Sequence, residues 1–102
     1  MSTNKYILDG HTPVPCDDLL KWARWYETHD RFVAKNIFTR NGSSVRVSTV
    51  FLALNHRFGS GPPLLFETMV FGGDYDFEQE RYSTWEEAEA GHARWLDKVI
   101  GT

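Results

Sequence analysis

The chain has 102 residues, of which 41% are hydrophobic, 15% aromatic and 25% charged. That length supports one small domain around one core and sets aside a second independent domain, so residues 1–102 are read as a single unit. The formal net charge of -3 hides a segregation: residues 1–30 carry three basic and five acidic groups, 31–66 five basic and no acidic ones, and 67–102 three basic and nine acidic.

Cys16 is the lone cysteine, without an intramolecular disulfide partner or a CxxC neighbour, which fits a reducing compartment. The first ten residues lack the apolar run of a signal peptide. Charged residues interrupt every later run that approaches a membrane span, so a cytoplasmic protein with no membrane contact is expected.

"KYILDGHTPVP" begins with a short strand signal, followed by an Asp-Gly turn and two prolines that prevent early helix formation. "CDDLLKWARWYETHD" is helical in pattern. Asp17 is a candidate cap, and Leu19, Trp22, Ala23 and Tyr26 form one buried stripe at spacings of three and four. Trp25 lies off that stripe and is a candidate for a second contact surface.

"RFVAKNIFT" reads as a strand, "RNGSS" as a tight hairpin turn, and "VRVSTVFLAL" as the returning strand, whose second half is apolar at every position. "NHRFGSGPP" connects without regular structure. "LLFETMVF" resumes the strand pattern with both faces apolar, Leu64, Phe66, Thr68 and Val70 on one side and Leu65, Glu67, Met69 and Phe71 on the other. After the "GGDYD" break, "FEQERYS" has the charged character of an edge strand. "STWEEAEAGHARWLDKVI" is a helix that starts at a Thr84/Glu87 capping box and turns Trp85, Ala88, His92, Trp95 and Val99 toward the sheet.

The order β-α-β-β-β-β-α predicts an α+β two-layer sandwich: a mainly antiparallel sheet of about five strands with two helices on one face. The other face is then left apolar and uncovered, which predicts a homodimer or a curved, pocket-bearing sheet.

Glu67 draws attention as a carboxylate in an apolar strand. With His56 as a partner it is a candidate acid or base for a hydrolase; the preferred alternative is a structural role, paired with backbone N–H groups or with Arg46 or Arg57. Register decides between them, because a slip of one residue moves Glu67 to the other face. No His pair has HExxH spacing and no Cys/His cluster occurs, so neither a metal nor another cofactor is expected. Gly59-Ser60-Gly61 leads into two prolines, not into a helix, and is read as a turn.

The basic segment offers a binding reading. Arg31, Lys35, Arg40, Arg46 and Arg57 form a candidate positive stripe for an acidic partner or nucleotide-like anion, although pairing with Glu78, Glu80 and Glu86 is the plainer role for them and nucleic acid is not an expected partner.

The blocks "STVFLALNHRFG", "GPPLLFETMVFGG" and "QERYSTWEEAEAGH" resemble small uncharacterised proteins encoded by tailed bacteriophages and prophages. The resemblance spans about two thirds of the chain. It implies an accessory protein acting inside a bacterial host, with binding to a host or defence protein as the leading expectation and a small nucleotide-like ligand as the alternative.

Overall fold

The computed structural model describes residues 3–101. Asp9 and Thr12 flank a two-residue turn that joins β1 (Tyr6–Asp9) to β2 (Thr12–Pro15), so the early strand signal resolves into a separate antiparallel hairpin. The prolines tolerate this because a two-stranded edge leaves half of its backbone N–H groups unpaired. Then follow α1 (Leu19–Thr28), β3 (Phe32–Arg40), β4 (Ser43–Phe51), β5 (Phe66–Phe71), β6 (Gln79–Tyr82) and α2 (Trp85–Ile100). The fold is α+β with the expected helix and strand order, and β3-β4-β5-β6 form an antiparallel sheet in sequence order.

The β3–β4 turn depends on Asn41 at φ 52 and Gly42 at φ 80. Two successive left-handed residues match the twist of a hairpin, which is why Asn-Gly is favoured there. Strand register then sorts the side chains. Phe51 is opposite Phe66, Thr49 opposite Thr68 and Val47 opposite Val70, and all six are buried on the face covered by α2. Glu67, Met69 and Phe71 point to the other face. Leu65 departs from the expected alternation: β5 starts only at Phe66, and Leu65 turns inward to 2% exposure.

Two clusters make the core. Phe51, Ala53, Leu65, Phe66, Tyr82 and Ala88 lie under the start of α2, while Val45, Val47, Val70 and Val99 lie under its end. Each fully buried phenylalanine contributes about 1.5–3 kcal/mol relative to exposure. The Thr84 capping box is present, and the Arg40 guanidinium donates to the Ile100 carbonyl at the other helix end. A cation there satisfies an orphan carbonyl and suits the negative end of the helix dipole.

The helices do not share the layer equally. α2 crosses all four strands, whereas α1 sits against the β1–β2 hairpin at the end of the sheet. Its expected stripe is only partly buried, because Leu19 is 62% exposed and Tyr26 lies at the surface. Trp22 of that stripe makes the inward contacts together with Trp25, which was expected to lie off it. The Trp22 indole N–H is shared between the Tyr6 and Ala53 carbonyls at 3.2 and 3.1 Å, and Trp25 meets Phe51 edge-on at 5.6 Å. Ala53, at φ 63, turns the chain so that its carbonyl reaches both Trp22 and the Tyr6 N–H. No helix among the described residues is long and apolar enough to cross a membrane.

Candidate functional site: the uncovered face of the sheet

The face opposite α2 carries Phe32, Lys35 and Ile37 from β3, Arg46, Ser48 and Val50 from β4, Glu67, Met69 and Phe71 from β5, and Gln79 and Arg81 from β6. A bulge between Phe32 and Ala34 changes the alternation, sending Val33 to the core and leaving Phe32 on this outer face. Among the described residues no helix packs on this face, although Ser48 is buried between its neighbours. Ile37 is 61% exposed, and Phe77, just before β6, is 68% exposed while its ring lies 6.2 Å from Phe71 in an edge-to-face contact.

Phe77 is held at φ 67 by its N–H, which bonds to the Val70 carbonyl at 2.7 Å. A bulky residue in the left-handed region costs about 1–3 kcal/mol. The fold therefore bears strain to hold an aromatic ring in solvent.

Charge on this face is uneven. Glu67 Oε2 accepts from Arg81 Nε at 2.9 Å, which answers the register question with a partner on β6. His56 lies beyond the end of β4, and its backbone N–H donates to the Leu64 carbonyl at 3.0 Å. Arg81 and Val50 are the cross-strand neighbours of Glu67, so the fold does not bring Glu67 and His56 together as a pair.

The basic residues of the middle segment are divided among different places. Lys35 lies over the Phe32 ring at 4.7 Å and Arg46 over Phe71 at 4.3 Å, both on the open face. Arg31 lies over Tyr26 at 4.0 Å and donates to the Phe51 carbonyl at 3.1 Å, at the junction with α1. Arg40 is on the opposite side at the end of α2, and Arg57 donates to the Pro62 carbonyl and braces the glycine loop. Strand alternation causes the division: even-numbered Arg40 and odd-numbered Lys35 must point to opposite faces. None of the five has a carboxylate partner among the described residues, where the ion pairs are Glu67–Arg81 and Glu80–Arg94. The expected pairing with Glu78, Glu80 or Glu86 is thus not what holds them.

A second polar cluster, unforeseen as a unit, lies beneath α2. His92 Nε2 donates to Asn36 Oδ1 at 2.8 Å, leaving Nδ1 to accept from the Thr49 hydroxyl at 2.8 Å. Thr68 donates to Thr49 at 2.5 Å and Tyr82 to Thr68 at 3.0 Å, so the chain of hydroxyls has one direction. Burial pushes the His92 pKa below its ordinary value, favouring the neutral ring this chain requires. Burial first, with the negative charge of Glu80 also raising it, pushes the Tyr82 phenol up to about 12. The helical spacing of His92 was readable; its partners Asn36 on β3 and Thr49 on β4 were not. His92, Thr49, Thr68 and Tyr82 are buried beneath the helix and complete one another's hydrogen bonds, while Asn36 closes the cluster at its exposed edge on β3.

No family model, curated protein or solved structure matches the chain. The site therefore has to be read from its own chemistry. Among the described residues no group of three or more His, Cys, Asp or Glu side chains is placed to hold a metal ion. The uncovered face combines aromatic and aliphatic surface with Lys35 and Arg46, which lack acidic partners among the described residues, and with the Glu67–Arg81 pair.

Proposed function

We propose that the chain is a bacteriophage or prophage accessory protein that binds a protein of the bacterial host through the uncovered face of its sheet. The observation that carries this reading is Phe77, a strained and 68% exposed aromatic beside Phe71. Lys35 and Arg46 flank the same surface, so the complementary partner presents carboxylates next to apolar side chains. A homodimer through this face is the second reading, favoured by the exposed Phe32 and Ile37. The carboxylate on this face, Glu67, is already paired with Arg81, so a second copy offers no free acidic group on the same patch to Lys35 and Arg46, which argues for a different protein as the main partner.

The test is a photo-crosslinking amino acid at position 37, used in host cells and read by mass spectrometry. A single host protein captured by the parent chain and lost with Phe77→Ser and Arg46→Glu is the expected result, with binding that weakens as salt rises. Capture of a second copy alone, through an association that strengthens with salt, establishes the dimer in its place. Capture unaffected by either substitution overturns both readings.

A further inference from the structure

A groove of about 410 Å³ is lined by residues of α1, from Asp18 to His29, with Ile7 of β1 closing one wall. Its floor and walls are chiefly apolar, supplied by Ile7, Leu20 and Trp25. Trp25 is a fixed wall, because one side of its indole meets the buried Phe51 ring edge-on and His29 stacks on it at 4.9 Å with a tilt of 14°. The His29 ring is itself tied by Nδ1 to the Trp25 carbonyl at 3.0 Å and to the Thr28 hydroxyl at 3.1 Å. The groove is thus formed before any ligand arrives, as small-molecule sites usually are.

Lys21 and Arg24 stand one helical turn apart on its lip. Among the described residues neither side chain has a hydrogen-bond or ion-pair partner. Asp18, also at the groove, uses its carboxylate to cap the helix by accepting from the Lys21 N–H at 3.1 Å. Its negative charge disfavours an anion at that end, which places the anionic group of a ligand toward Arg24 and the apolar body along Leu20 and Trp25. Leu20 is 78% exposed, an open apolar surface that such a body would cover.

We infer that this groove is a binding site for a small amphipathic anion: an aromatic or aliphatic body carrying one carboxylate, sulfonate or phosphate. Charge complementarity with Lys21 and Arg24 selects the anionic end, and the Leu20–Trp25 wall selects the apolar one. This site is distinct from the protein-binding face, since it shares no lining residue with that face.

The experiment titrates the full chain with anilinonaphthalene sulfonate, following its emission, and with phenylnaphthylamine, which has the same ring system without the sulfonate. The expected result is one saturable site that prefers the anionic probe and is weakened about tenfold by Arg24→Glu and by Leu20→Asp. Lys21→Glu, at another exposed position, gives a second charge variant, and far-ultraviolet circular dichroism verifies that each variant folds. Ile37→Asp, on the sheet face, should leave the affinity unchanged. Equal affinity for the two probes, no binding, insensitivity of folded Arg24→Glu and Lys21→Glu, or loss on Ile37→Asp overturns the assignment. So does a concentration-dependent dimer dissolved by Leu20→Asp, because the groove then belongs to a second copy of the chain.

Discussion

The two helices are attached in different ways, α2 across the four-stranded sheet and α1 against the β1–β2 hairpin. α2 buries Ala88, Gly91, His92 and Val99, and its hydrogen bonds reach β3 and β4 through His92 and β6 through Trp95. α1 buries no residue completely and is held by two tryptophans, one sharing its N–H between two carbonyls. A helix with both apolar and polar attachments is confined by shape and by hydrogen-bond direction. One resting on a few aromatic contacts leaves most of its surface for other uses, and in this protein the groove and the exposed Leu19 and Leu20 lie on α1.

The sharpest way to break this contrast is at His92. His92→Ala removes the acceptor of the buried Thr49 hydroxyl and opens a cavity, and should cost about 3 kcal/mol in urea denaturation. A loss below about 1 kcal/mol, the net value of a single hydrogen bond, would mean that the hydroxyl chain does not anchor α2.

Gly91→Ala comes next. A Cβ there falls 2.2 Å from Tyr82 Oη, so the phenol must move away from Thr68. The ordinary gain of about 1 kcal/mol for replacing a helical glycine should therefore be reversed into a net loss of about 1–2 kcal/mol. An unchanged or raised unfolding midpoint would show that Tyr82 relocates freely.

On the α1 side, Trp22→Phe removes the shared donor while keeping an aromatic ring. The expected loss is about 1–2 kcal/mol, with increased amide exchange in α1 and little change in α2. Equal exchange in both helices would contradict their separate attachment.

A smaller effect is the pH dependence due to His92. Its folded pKa lies below the ordinary 6.5, so the unfolded chain binds the proton first. Stability should then fall as pH drops through 6.5 toward the folded value and level off below it, with no contribution above. Asn36 and Thr49 face the ring, and neither supplies a negative charge to offset protonation. The difference between parent and His92→Gln denaturation curves across this range isolates the contribution; a parallel pair of pH profiles would refute it. Smallest of all, Leu20→Asp should change stability by less than about 0.5 kcal/mol, because nothing in the fold covers that side chain.

Local chemistry was legible at the β3–β4 turn, where Asn41 and Gly42 are needed for their positive φ, and at the Thr84/Glu87 capping box. The α2 stripe was equally legible, since burial against a flat sheet imposes a helical period on a sequence. The α1 stripe misled in part for the same reason: Leu19 and Tyr26 have core spacing, but α1 meets a short hairpin that does not reach them. At the candidate site, the apolar residues of "LLFETMVF" announced a second face that needs a use. The scattering of Arg31, Lys35, Arg40, Arg46 and Arg57 was not apparent, because a charge count along the chain carries no information about which way each strand faces.

By itself, then, the sequence determined the α+β order of elements, the β3–β4 turn chemistry, the α2 capping box and the two-sided character of β5, all of which depend on neighbours within a few residues, whereas the α1 cap fell on Asp18 and not on the expected Asp17. The tertiary structure alone decided that Glu67 meets Arg81, that His92 joins Asn36, Thr49, Thr68 and Tyr82, and that Phe77 is held out in solvent under strain. Those pairings join residues far apart in the chain, and strand register and the seating of α2, not local preference, bring them within bonding distance.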